Sequence, residues 1–340
     1  MKNYIKMFLA GVFLATALPF TMILLINGRQ GIHQEKQLDP VDYQVLQQML
    51  AEDLSWMSDD TLKLLAVLYR TEALRVSEAP VSMIIEADPA VFTDAAADSD
   101  QVSVNTDAVL TRETVSLAKL YGEEYERIYQ AIESTSGMSV TIDGEYRELP
   151  FHKLSAGQTR DGRLLGDGYD YVLSVECRED KEASDYVQIC TLNIEEILRV
   201  LGVDYTEAAD KDIAGKDDAD SADGQAKQQK ITLEDFVFQR DSEGYVESVS
   251  LEEQTWTGEA FRSLLHFPSS CFWMNADDAT KIDKVGEGGN TDNRLTITIK
   301  GVGHGFGISL YTADRRIREG TPWQDIFSCF YKNAQCITIP

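Results

Sequence analysis

Positive charge is what this 340-residue chain has least of: 31 lysines and arginines stand against 57 aspartates and glutamates, a formal net charge of −26. Such a field repels nucleic-acid phosphates, and no basic stripe interrupts it, so DNA and RNA are excluded as partners. Cysteine is sparse and odd in number. Cys177, Cys190, Cys271, Cys329 and Cys336 form no C-x-x-C pair and no regular spacing. That argues against a disulfide framework and against zinc ligation, and leaves Cys177–Cys190 as the one candidate bridge. The glycine run at Gly301–Gly307 has the wrong spacing for a phosphate loop and no Lys-Ser/Thr after it. No internal repeat is present. What remains is a 43% hydrophobic chain with 14 tyrosines, the composition of a folded body rather than a disordered one.

One long uncharged run decides the compartment. Met7 to Ile26 holds 20 residues without a charge, preceded by Lys2 and Lys6. As a helix it is about 30 Å long, the thickness of a bilayer's hydrocarbon core. Lysines before the span place residues 1–6 in the cytoplasm and export everything after it. Ala15-Thr16-Ala17 resembles a signal-peptide cleavage site, but the apolar run continues past it, which favours an uncleaved single-pass anchor over 7–26. Residues 27–39 then read as a juxtamembrane linker and 40–340 as an extracytoplasmic domain.

Within that domain the patterning predicts an α+β fold built on a buried helix, with β-hairpins following. Asp39-Pro40 marks a helix start, with apolar residues at helical spacing up to about Glu52. Ser58 caps a second helix, Thr61 to about Leu74, which is apolar on most sides and therefore central. Residues 81–110 lack pattern, and a third helix is expected from about Arg112 to Thr135. Val140–Leu149 around Asp143-Gly144 reads as a hairpin. Asn193–Gly202 is a short capped helix, Ile231–Leu251 a hairpin around Ser242-Glu243-Gly244, and Leu295–Ile299 a strand. Between them, residues 206–230 are acidic and almost without large apolar side chains, the composition of a flexible loop.

Three segments in order resemble the SpoIID/LytB sporulation family. Glu52-Asp53-Leu54-Ser55-Trp56 followed by Thr61–Thr71 (TLKLLAVLYRT) is similar to its first motif. Phe151–Thr159 (FHKLSAGQT) is similar to its second, and Gly301–Tyr311 (GVGHGFGISLY) to its third. The resemblance spans nearly all of residues 40–340. It implies a membrane-anchored protein acting on peptidoglycan glycan strands, with a glycan-binding groove and no cofactor. The implied activity is that of a lytic transglycosylase on strands stripped of stem peptides during engulfment. The implied partners are a stage II sporulation protein P-like amidase and a polytopic membrane protein. Other members of the family are amidase enhancers, which leaves open a catalytically inactive module that holds glycan and recruits or stimulates an amidase.

A lytic transglycosylase needs one carboxylic acid, which protonates the glycosidic oxygen and then takes a proton from the sugar's own hydroxyl. The resemblance assigns that role to Glu52; from the residues alone, a glutamate at a helix end reads as solvated. Asp53 either raises the Glu52 pKa by like-charge repulsion or faces solvent. Arg70, deep in an apolar helix, contacts sugar, orients Glu52 or forms a structural ion pair. The second and third motifs supply the other expected substrate residues: His152, Ser155, Gly157, Thr159, Gly303, His304, Gly305, Ser309 and Tyr311. Alternating glycines at Gly301–Gly307 suggest a strand with one bare face that admits a ligand or another backbone. Among the tryptophans, Trp56 is the candidate for stacking on a sugar. Some members carry a zinc site after the first motif; with no Cys or His between Arg70 and Phe151, none is expected here. Asp53-Leu54 and Leu310-Tyr311-Thr312 replace the family's Met-Pro and Gln-Tyr-Gly.

Overall fold

The Asp39 carboxylate accepts the backbone N–H of Asp42 at 2.8 Å and Pro40 occupies the first turn, so α1 (Pro40–Leu50) starts where the sequence predicts. The computed structural model describes residues 38–78, 122–203, 231–276 and 294–338. The expected anchor at 7–26, the irregular stretch 81–110, the first part of the third helix and the acidic loop 206–230 lie outside the described residues. Among the described residues, no helix is long and apolar enough to cross a membrane.

Ser58 caps α2 (Asp59–Glu78), its Oγ accepting the Thr61 N–H at 3.3 Å, and the helix runs about a turn past the expected end at Leu74. There follow α3 (Glu123–Ser134), β1 (Met138–Ile142), β2 (Phe151–His152), β3 (Val187–Asn193), α4 (Ile194–Val200) and β4 (Phe236–Arg240). Next come β5 (Val246–Leu251), β6 (Gln254–Thr257), α5 (Gly258–Leu264), β7 (Phe272–Ala276) and β8 (Arg294–Lys300). The chain closes with β9 (Ile308–Ser309), α6 (Leu310–Arg318), α7 (Trp323–Phe330) and β10 (Ala334–Thr338).

Two apolar clusters organise these elements. In the first, α2 is central: Leu62, Leu64, Leu65, Ala66, Val67 and Leu68 are all buried. They pack with Leu46 and Met49 of α1, Ile128 and Ile132 of α3, and Phe327 and Phe330 of α7. Each such leucine stabilises the fold by about 1.5–3 kcal/mol relative to exposure. The second cluster fills the space between the sheets β3-β8-β7 and β4-β5-β6, with Phe261 of α5 and Phe272 of β7 at its centre. β4 and β5 form the predicted hairpin, with a register shift at Gln239/Arg240.

Three expectations change. Asp143 and Gly144 make a tight turn with positive φ of 53° and 83°, but only the Ile142–Glu145 bridge closes there. β1 pairs instead with β10, antiparallel, from Met138↔Thr338 to Ile142↔Ala334. The turn forms where the pattern predicts it, and the distant strand, not the local arm, pairs with β1. Gly301–Gly307 is not a strand. Its alternating glycines all have positive φ, a backbone conformation that glycine adopts without the cost a Cβ would bring. Finally, Cys177 and Cys190 are free thiols: Cys177 is buried, and burial pushes it up to about 12, while Cys190 sits on β3 opposite Ile297.

Candidate functional site

The second and third motifs lie side by side. β2 and β9 pair in parallel, Phe151 opposite Ile308 and His152 opposite Ser309. Leu154 and Val302 exchange backbone hydrogen bonds at 3.0 and 2.7 Å, and the Arg160 N–H reaches Gly305 O at 2.8 Å. Glycine makes this approach possible. A Cβ on Gly307 would sit 1.7 Å from Pro150 O, and one on Gly303 would sit 2.7 Å from the His152 Cβ. Backbone against backbone, rather than an open strand face, is what the alternating glycines serve.

Asp180 locks the two motifs together from the short 3-10 turn Arg178–Glu182. Its carboxylate is fully buried and accepts from Ser155 N at 2.8 Å, Ser155 Oγ at 2.5 Å, Ser309 Oγ at 2.8 Å and Thr312 Oγ1 at 2.7 Å. Burial raises its pKa, and these four donors oppose the rise. Ser155 and Ser309 thus point into this knot. Thr159 is likewise internal, its Oγ1 donating to Leu173 O at 3.1 Å and accepting from Val175 N at 2.8 Å. Gly157, with φ of 104°, leaves room for Lys181, whose Cε would be 2.8 Å from an added Cβ. Gly305 makes the equivalent room for the Tyr245 ring.

His152 and His304 are 4% and 6% exposed, with ring centroids 5.6 Å apart. His152 Nδ1 contacts Phe306 O at 2.9 Å, and burial, then the neighbouring His304, pushes the His152 imidazole down to about 3. It is therefore neutral at any physiological pH. His304 Nδ1 accepts the Phe306 N–H at 3.1 Å. Arg70 is 3% exposed. Its Nε bonds Asp42 at 2.6 Å, and its other nitrogens cap the end of α3 through Ile132 O, Thr135 O and Met138 O. Its guanidinium makes the structural ion pair.

Glu52 follows α1 in a short turn, half-buried. Tyr69 Oη of α2 donates to its Oε1. Burial raises the Glu52 carboxyl above 4.5, and the Tyr69 bond opposes the rise; among the described residues no cation contributes. Asp53, by contrast, faces solvent and accepts from Ser55 N and Oγ, which hold it below the usual carboxylate range. Its repulsion does not shape Glu52. The loop after Glu52 is fastened to α6: Ser58 N and Thr61 Oγ1 donate to Asp314 at 2.7 and 2.8 Å, and Arg318 donates to Trp56 O at 3.0 Å. Trp56 stacks on Tyr311 with centroids 6.1 Å apart, and Tyr69 meets Phe151 edge-on at 5.5 Å. Phe151 of the second motif and Tyr311 of the third therefore meet the first motif through Tyr69 and Trp56.

This arrangement sets a half-buried carboxyl beside the Tyr69 ring, in a loop that also carries the partly exposed Trp56–Tyr311 stack. Among the described residues no group of His, Cys, Asp or Glu is placed to hold a metal ion. The sequence alone missed Tyr69 and Asp180. Tyr69 carries a faint signal, a polar aromatic on an otherwise greasy helix; Asp180 carries none, since its partners Ser309 and Thr312 are far along the chain.

No protein-family profile matches the chain. It is similar to stage II sporulation protein D of Bacillus subtilis (strain 168), 28% identical over 225 residues that cover 64% of this chain and 54% of that protein. It is also similar to stage II sporulation protein D of Bacillus amyloliquefaciens, 24% identical over 215 residues, 63% of this chain and 52% of that protein. The chain spans about half the length of the curated relatives it matches.

Proposed function

We propose that this chain, a relative of the SpoIID family, is a sporulation protein of the cell envelope that cleaves peptidoglycan glycan strands as a lytic transglycosylase. The observation that carries this reading is Glu52: a half-buried carboxyl raised by desolvation, bonded by the Tyr69 hydroxyl, in a loop whose Trp56 stacks on Tyr311. Such a group keeps its proton closer to neutral pH than an exposed glutamate, as a general acid must. In the first half-step the Glu52 proton passes to the glycosidic oxygen as the bond to the anomeric carbon breaks. In the second, the ionised Glu52 takes the proton of the muramic sugar's own hydroxyl, whose oxygen closes on the anomeric carbon. No water is consumed, and Glu52 ends protonated as it began. Residues 7–26 would anchor the protein, and an amidase that strips stem peptides would supply the denuded strand.

A second reading, a glycan-binding module that recruits or stimulates an amidase, is favoured by the Tyr69 bond, which occupies one Glu52 oxygen and draws its pKa back down. Mass spectrometry of denuded strands incubated with the full-length protein distinguishes the two. The enzyme reading expects new anhydro-muramic ends that vanish in Glu52→Gln. Anhydro ends persisting in that variant remove Glu52 from the mechanism, and strands bound but never cut favour the binding module.

A further inference from the structure

Glu52 is one end of a longer strip. Tyr69, Glu72 and Arg75 recur every three residues on α2, so they share a face and extend along it by about 9 Å, six residues at ~1.5 Å each. The segment before β2 runs beside that face: Phe151 meets Tyr69, and farther along Glu148 feels the charges of Glu72 and Arg75. Glu72 and Arg75 form a bidentate pair at 2.6 and 2.8 Å, with side chains 43% and 32% exposed.

Past Glu148 stands an aromatic ladder. Tyr169 donates to Glu148 Oε2 at 2.6 Å and stacks on Tyr171 with centroids 6.0 Å apart. Tyr171 is buried, donates to Glu148 O at 2.5 Å and leans on buried Tyr331 at 6.5 Å. Arg147 lies 5.7 Å over the Tyr171 ring with its side chain 36% exposed. The ladder is rigidly mounted. Lys332 N donates to Tyr171 O at 2.8 Å, Leu173 N to Phe330 O at 2.9 Å, and glycine at position 162 lets the Tyr169 carbonyl approach where a Cβ would be 2.1 Å away. The outermost ring, Tyr169, remains partly exposed. A braced ring beside polar pairs offers a pyranose both an apolar face to stack on and fixed partners for its hydroxyls and carboxylates. Arg147, which also pairs with Glu145 at 3.2 Å, and the Glu72–Arg75 pair stand partly in water about the Tyr169–Tyr171 stack.

We propose that Tyr169, with Arg147 and the Glu72–Arg75 pair, forms a remote subsite that holds a second sugar of the strand whose scissile bond lies at Glu52. The chain thereby prefers long strands to short ones. This rests on the glycan reading above. The test uses full-length Glu52→Gln protein, so that strands are not cut, and measures its affinity for peptide-free glycan fractions from the disaccharide upward. Affinity should climb with length in this parent. Adding Tyr169→Ala should flatten the climb, lowering long-strand affinity about tenfold, while Tyr169→Phe, which keeps the ring, should retain it. Identical length curves for parent and Tyr169→Ala overturn the subsite and leave the proposed function standing. An equal proportional loss at every length marks a general structural role and also overturns it. No binding at any length overturns both.

Discussion

Removing the Asp180 carboxylate should damage this fold more than any other single deletion of a polar group near the site. The carboxylate is the common acceptor for a backbone N–H and three hydroxyls contributed by two motifs more than a hundred residues apart. Hydrogen bonds to a charged group contribute about 1.5–3 kcal/mol each, but burying the charge offsets much of that sum. Asp180→Ala leaves the Ser155 N–H without an acceptor, opens a polar cavity and frees Ser309 and Thr312 to rotate, at about 3–5 kcal/mol in all. Asp180→Asn keeps one oxygen for the Ser155 N–H, and hydroxyls can turn to accept from its amide, so about 1–2 kcal/mol is expected. The pH dependence has a definite sign. Burial raises the folded pKa of Asp180 above its ordinary 3.8, so its contribution is fully present below that value and is lost as pH rises through the higher folded one. The asparagine has no such loss, and its deficit should shrink as pH rises. Urea denaturation of the three proteins at several pH values measures both effects. A loss under about 1 kcal/mol for Asp180→Ala, or an asparagine as damaging as the alanine, would refute the reasoning.

Two other outcomes follow from the same geometry. Tyr69→Phe keeps the edge contact with Phe151 but removes the bond that lowers the Glu52 pKa, so the alkaline limb of a strand-cleavage pH profile should move to higher pH; a limb that stays put or moves down separates Tyr69 from the proton on Glu52. Gly307→Ala should prevent folding, since its Cβ would lie 1.7 Å from Pro150 O, whereas Gly320→Ala, also at positive φ but with nothing within 4 Å, should cost only about 1–2 kcal/mol by melting temperature; similar melting points would mean the two motifs are not pressed together as described.

What could be read in advance was local. Asp39-Pro40, Ser58 and the apolar run of α2 each carry their cause within a few residues, and the elements begin where those causes sit. The Asp143-Gly144 turn was legible for the same reason. Its strand partner was not, because β10 lies almost two hundred residues away and a strand's alternation does not name its neighbour. Arg70 shows the limit differently. A buried arginine announces that it needs a partner, but only the packing of α1 and α3 on α2 reveals that Asp42 and the carbonyls at the end of α3 supply it. The alternating glycines were visible too, and their period suggested a strand; only the left-handed φ values reveal that they serve backbone crossing.

The departures from the family's motifs weigh less against chemistry once their surroundings are considered. Leu310, at the place of a glutamine, is 3% exposed in the helical core, and Thr312, at the place of a glycine, gives its hydroxyl to Asp180. Leu54, in the first motif, is buried, and Asp53 bends the loop through Ser55. All four changes are absorbed by packing or by internal hydrogen bonds. Tyr311, unchanged in the middle of the altered stretch, still stacks on Trp56 of the Glu52 loop. Glu52 itself is shaped by burial and by Tyr69, which is not among the departures. Under the proposed function, the balance between enzyme and binding module turns on the Glu52 proton, which burial favours and Tyr69 opposes.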